Sequence, residues 1–172
     1  MWRLATAFVE IALHRCGPES LPASWLLFRI VLAAYFLVGF TLFWSSDSVD
    51  GTTTIAFVLN CGFYLGYVWL ILDVVKHRSR FLQTATALLG VDTFFNTLSI
   101  PLAVWTGTLQ AANVEAMLPA VLIIVLFLWS IDVAAFVIAR ALDRPYITGV
   151  LIVLPYIMVS IFVQNAFSSV AG

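Results

Sequence analysis

Apolar residues fill five long stretches, at positions 23–44, 53–75, 81–105, 117–139 and 146–167, and polar residues are held mostly to the short segments between them. A soluble helix would show one apolar stripe, whereas these stretches are apolar on nearly every side. At the helical rise, about 20 residues cross a hydrocarbon core, so each stretch is long enough to do so. The pattern predicts an all-α, polytopic membrane protein, a bundle of five transmembrane helices. The connectors "SSDSVDGT", "KHRSR", "TGTLQAANVEA" and "RALDRP" are too short to fold alone, so residues 23–172 are expected to form one bundle.

Residues 1–16 follow a different pattern. On a helical wheel Arg3, Thr6, Glu10 and His14 share one sector, and Trp2, Leu4, Phe8, Val9, Ala12 and Leu13 occupy most of the rest. Residues 1–22 are therefore expected to form an amphipathic interfacial helix followed by the turn "CGPESLP". The segment has no small-residue cleavage site, so the N-terminus is expected to be retained.

Charge placement supports the map. Arg3, Arg15 and Arg29 lie before or early in the first span; Lys76, Arg78 and Arg80 fill the second connector; Arg140 and Arg144 fill the fourth. The first and third connectors carry only the acids Asp47, Asp50 and Glu115. Positive charge favours the cytoplasmic side, which predicts a cytoplasmic N-terminus and an outside C-terminus, in the inner membrane if the source is bacterial. Composition agrees: 172 residues, 63% hydrophobic and 10% charged, far from the roughly one-quarter charged content of soluble domains. The mean hydropathy is +1.07.

In so apolar a chain, the polar groups inside the spans carry the candidate chemistry. Asp92 lies eleven positions past Phe81, about 16 Å in from that helix end, and a charge exposed to lipid there would cost at least about 2.5–3.5 kcal/mol. Asn96 follows one turn later, and Asn60, Tyr64 and Tyr67 make a polar stripe on the second span. A buried polar network of Asp92, Asn96, Asn60 and Tyr64 is expected, serving as interhelical glue or as a proton or ion relay. Tyr156, Ser160 and Gln164 form a further stripe on the fifth span, read as a helix contact. Arg29 and Asp132 sit at matching depths on the first and fourth spans and are expected to form a buried ion pair that fixes register. Gly62 and Gly66 have GxxxG spacing and are assigned to helix packing. Pro101 and Pro155 fall inside spans, where kinks are expected. Lys76, Arg78 and Arg80 are candidates for lipid or partner contact.

Catalytic signals are missing. The chain has no HExxH, GxSxG, P-loop or CxxCH, and its two cysteines, Cys16 and Cys61, lack partners at metal-ligand spacing. No cofactor, metal or nucleic acid is implied. Membrane lipids and another membrane protein, or a second copy, are the expected partners.

The segments "GPESLPASWLLFRIVLAAYFL" and "RFLQTATALLGVDTFFNTLSIPL" resemble small bacterial five-span membrane proteins of the Yip1-like superfamily. The resemblance implies five spans and an inside N-terminus. The DLYGP-type motif linked to GTPase binding in that superfamily is absent, so this role is not implied. Two functions are expected: a non-catalytic accessory subunit, assembly factor or membrane-organising scaffold, or a small proton-coupled or ion-conducting transporter with Asp92 as its titrating group.

Overall fold

The structure is a computed structural model and describes residues 2–45 and 51–171, leaving aside the side chains at 2–5, 43, 45, 52–53 and 163–171. Asp47 and Asp50, and the side chains of Trp2, Arg3, Leu4 and Gln164, thus lie outside the described residues.

The protein is all-α. Among the described residues six α-helices follow in order: α1 (Trp2–Ala12), α2 (Trp25–Ser45), α3 (Gly51–Val74), α4 (Phe81–Ala111), α5 (Met117–Ala141) and α6 (Tyr146–Ala171). Short 3₁₀ turns at Pro18–Ser20 and Arg78–Arg80 precede α2 and α4. Among the described residues, four helices hold segments long and apolar enough to cross a membrane: Trp25–Leu42, Thr54–Val74, Arg78–Ala111 and Met117–Ala141. The apolar run described in α6, Tyr146–Phe162, is shorter. These helices fit a multi-pass membrane protein.

Helix α4 is the centre of the fold, packing against α2 and α5 most extensively and also against α1 and α3. Its residues from Thr84 through Val91 are all buried, so this part of the helix is covered on every side. Small side chains make that possible. The hydroxyls of Thr84 and Thr86 would be costly to bury unpaired, and each donates to the carbonyl one turn back, at Arg80 (2.9 Å) and Leu82 (2.6 Å). The helix continues six residues past the expected end at position 105, through the polar run "TGTLQA", in which Thr106 donates to the carbonyl of Leu102 and Thr108 to that of Trp105. Pro101 and Pro155 both lie within continuous helices.

Four helices stop without glycine. His14, Lys76, Asn113 and Asp143 have φ of 57°, 62°, 54° and 52°. In each case the next amide reaches back five residues: Arg15 to Glu10, His77 to Leu72, Val114 to Leu109 and Arg144 to Ala139, at 2.7–3.0 Å. This is the Schellman closure, which satisfies end carbonyls but needs a left-handed residue. Non-glycine residues adopt that conformation at a cost of about 1–2 kcal/mol, offset here by the bonds it permits.

Helix α1 does not stand apart from the bundle. Ile11 and Ala12 are buried in the larger core with Leu88, Val91, Val133 and Val137. The Phe8 ring lies directly over Gly90 of α4, and Trp129 of α5 donates its indole N–H to the Ala12 carbonyl at 3.1 Å. Gly90 and Trp129 lie nine and twelve residues from the helix ends at Phe81 and Ala141, so α1 reaches about 14–18 Å along α4 and α5. Residues 1–22 therefore share the bundle's core.

The end of the bundle that carries Arg80 and Arg140 is tied by ion pairs. Arg80 bonds to Asp143 at 2.7 Å and to the Ala141 carbonyl at 3.1 Å. Arg140 meets Glu19 at 3.1 Å, His77 lies 3.8 Å from Asp143, and Arg78 pairs with Asp73. These join the turn after α1, the α3–α4 connector and the α5–α6 connector. Each has at least one exposed partner and none is fully buried, so each contributes about 1 kcal/mol or less, and their effect is chiefly to set connector geometry.

Candidate functional site: a carboxylate-lined cavity

Counting residues from this basic end puts one cavity-lining residue of each long helix at the same level. Tyr35 is ten residues past Trp25, Tyr64 ten before Val74, Asp92 eleven past Phe81, Ile131 ten before Ala141, and Tyr156 ten past Tyr146. At 1.5 Å per residue, each lies about 15 Å inside the bundle. A cavity of about 190 Å³ opens between them, lined by Tyr35, Tyr64, Tyr67, Asp92, Ser130, Tyr156 and Ser160 among apolar residues of α3, α5 and α6. At roughly 30 Å³ per molecule it has room for about six waters.

Asp92 is the carboxylate of this cavity. The Tyr64 hydroxyl hydrogen-bonds to it across the α3–α4 contact. The other ionisable groups that face it are Tyr35, Cys61 and Tyr156. All are acids that are uncharged when protonated. Among the described residues no Lys, Arg or His pairs with Asp92, and none lines the cavity. One phenolic hydrogen bond falls short of what a buried charge requires, so the carboxylate is stable there either protonated or with a cation beside it.

The polar residues around it form two linked sets. Asn60 donates to Ser160 at 2.5 Å and accepts from the Tyr156 hydroxyl at 3.0 Å, tying α3 to α6. Tyr67 donates to the Ile152 carbonyl at 2.8 Å, a second tie between the same helices. Tyr156 stacks on Tyr64 with centroids 4.8 Å apart and lies 5.6 Å from Tyr67, which connects the Asn60 set to the Asp92 set through a phenolic stack.

The expected network is thus brought together in part. Asp92 meets Tyr64, while Asn60 bonds to α6 instead of to Asp92. Asn96 makes no hydrogen bond with a described residue; it is one turn further along α4, beyond the cavity lining. Tyr156 and Ser160 belong to the cavity, and Tyr35 and Ser130 join them without having been singled out by the sequence.

Two other expectations need correction. Arg29 and Asp132 form no ion pair: Arg29 is exposed on α2, and Asp132 accepts from the Tyr146 hydroxyl at 2.5 Å and lies 3.4 Å from His14 Nε2. The reason is lateral position. Helices α2 and α5 both pack on α4 and make little contact with each other. Gly62 and Gly66 are exposed, and among the described residues no other side chain or helix comes within 4 Å of where their Cβ atoms would be. The close helix contact is instead at Gly149 of α6, where a Cβ would fall 1.9 Å from the Ala135 carbonyl oxygen and 3.1 Å from Ala139 Cβ.

Of the three connector cations, Arg78 is held by Asp73 and lies 5.4 Å from the Trp69 ring centroid, and Arg80 is held by Asp143. Lys76 is exposed and forms no ion pair with a described residue. Both cysteines are free thiols. Cys16 donates to Glu10 Oε2 at 3.5 Å, and this bond, reinforced by partial burial and the nearby negative charge, raises its pKa above the ordinary thiol value. No cluster of three His, Cys, Asp or Glu side chains suited to a metal occurs among the described residues.

No family model, curated protein or solved structure matches this chain. The functional reading therefore rests on the cavity's own chemistry.

Proposed function

We propose that the protein is a small proton-coupled or cation-conducting membrane transporter in which Asp92 is the titrating group. The observation that supports this reading is a carboxylate facing a cavity large enough for water, about 15 Å from the helix ends, with no countercharge beside it among the described residues. Interhelical glue needs satisfied hydrogen bonds. The Asn60–Ser160–Tyr156 cluster ties α3 to α6 in that way, whereas Asp92, beside the same cavity, has one phenolic partner, Tyr64. Proton flux into proteoliposomes, followed with an entrapped pH-sensitive dye, tests the proposal. Wild-type protein should carry flux, and Asp92→Asn should abolish it while keeping the same size-exclusion profile and helical circular dichroism. Equal flux in the two, or none in the wild type, would dismiss it.

The accessory-subunit or scaffold reading has its own support in the vacant Gly62–Gly66 face of α3, flanked by exposed Leu59, Phe63 and Leu70. Small-residue faces let transmembrane helices approach closely. Stoichiometric co-purification of a second copy or another membrane protein in mild detergent supports it, and a clean monomer counts against it.

A further inference from the structure

We propose that the Asp92 cavity is a binding site for a small organic ammonium ion. The inference rests on the reading of this cavity as a cation site and adds the chemical class of the ligand.

Three observations select that class. The first is the wall. Tyr35, Tyr64, Tyr67 and Tyr156 contribute four phenol rings from three helices around one carboxylate, and no basic side chain among the described residues shares the space. Aromatic faces attract cations, and with desolvation each interaction strengthens from about 0.5–1 to about 2 kcal/mol or more, which is how aromatic cages hold quaternary ammonium groups. The rings are also held in advance. Tyr64 and Tyr156 stack at 4.8 Å and Tyr35 stacks on Phe57 at 5.3 Å, so each of these rings is held with one face against a neighbour, and the Tyr67 and Tyr156 hydroxyls are fixed by the Ile152 carbonyl and Asn60. A cage so ordered loses little entropy when it takes a ligand.

The second is oxygen supply. A hard metal cation collects six or more oxygen ligands. Here the hydroxyls of Tyr64, Tyr67 and Tyr156 turn their protons to Asp92, the Ile152 carbonyl and Asn60, and the Ser160 oxygen accepts from Asn60, so a hard ion would have to draw on the remaining lone pairs of oxygens already fixed in place by these bonds. Most of the remaining wall is aliphatic or aromatic. A cation that carries its own apolar shell suits such a wall better than a bare ion does.

The third is size. The cavity holds about 190 Å³, below the roughly 300–1,000 Å³ of pockets that take drug-sized ligands. Only an ion of a few heavy atoms fits.

Choline and its uncharged carbon isostere, 3,3-dimethyl-1-butanol, provide the test on full-length protein in detergent, with binding read by isothermal titration calorimetry. Saturable choline binding is expected, about tenfold or more tighter than that of the isostere, with Asp92→Asn losing at least about as much. Tyr156→Phe, which keeps the ring, should retain most of the affinity, and Tyr156→Leu should lose it. Wild-type protein alone already decides the question: equal binding of choline and isostere, or no choline binding, overturns the proposal whether or not any variant folds. Binding is measured without a gradient, so its failure leaves Asp92-dependent proton flux intact, and absence of flux leaves a positive binding result intact.

Discussion

Gly149 provides a direct test of where the bundle is packed most tightly. A methyl group there would fall 1.9 Å from the Ala135 carbonyl oxygen and 2.8 Å from its carbon, both backbone atoms with no rotamer to move into. Real Cβ contacts do not fall below 3.0 Å, so α6 would have to shift by more than 1 Å from α5 along their crossing. Overpacking a tight core usually costs about 1–3 kcal/mol, and an obstacle made of backbone belongs at the upper end. For a chain of this length about 3 kcal/mol corresponds to a fall in Tm of about 6–12 °C. Gly62→Ala and Gly66→Ala are the matched controls, because their Cβ positions are open and replacing glycine inside a helix is neutral or favourable. Thermal unfolding of the three purified variants in one detergent, monitored by circular dichroism or a thiol-reactive dye, gives the comparison. A Gly149→Ala protein within about 1 °C of wild type, or a Gly62→Ala protein that falls as far, would refute the assignment of this contact.

Two further outcomes follow from the connectors. Lys76→Gly removes a side chain that forms no ion pair with a described residue and relieves a left-handed residue at φ 62°, so it should raise stability by about 0.5–1 kcal/mol, or about 1–4 °C in Tm; a lower Tm would contradict the Schellman reading of that helix end. In a Cys61→Ser background, the pH profile of Cys16 alkylation should inflect above that of free cysteine, because the bond to Glu10 favours the protonated thiol, and Glu10→Gln should bring the inflection down. The same bond should contribute stability below the ordinary thiol pKa and lose it as pH rises through the raised value.

How far the sequence foretold this arrangement depended on the kind of information each feature needed. Apolar length located the helices that can cross a membrane, since only a helix satisfies its backbone through a run like that of α5. Distance from a helix end also places a residue in depth, which is why Asp92, Tyr64 and Asn60 were legible as a group. Azimuth is different: it is fixed by which helices are neighbours, and hydropathy is silent on that. Arg29 and Asp132 match in depth yet sit on α2 and α5, which α4 keeps from substantial contact. Asn96 shares a face with Asp92 but lies a turn beyond the cavity. The GxxxG spacing of Gly62 and Gly66 was the conspicuous small-residue signal, but a small surface packs only where a partner faces it. Gly149 has one in Ala135 and Ala139, whose own four-residue spacing was the available clue. The end of α1 was legible as a polar sector. Its burial against Gly90 and Trp129 was not, because docking depends on a gap that α4 and α5 create together.

The arrangement of helices around α4 also bears on how a site at Asp92 could work. The part of α4 nearest the basic end, from Thr84 to Val91, is enclosed by its neighbours, while beyond Asp92 exposure grows: Thr97, Leu98, Pro101 and Val104 are all exposed. Asp92 sits at the boundary between these two halves. A group that must take up a proton or cation in one state and release it in another needs a tight floor and a wall that can yield, because local opening draws on regions with few buried contacts. The packed half supplies the floor. Beside the cavity, Tyr156 and Ser160 of α6 are joined to Asn60 of α3 by two side-chain hydrogen bonds, and Tyr67 to the Ile152 carbonyl by a third, each worth about 0.5–1.5 kcal/mol net. In the proposed transporter the Asn60 cluster and the carboxylate would have separate duties: Asn60, Ser160 and Tyr156 would hold α3 to α6 beside the cavity, and Asp92 would take up the ion.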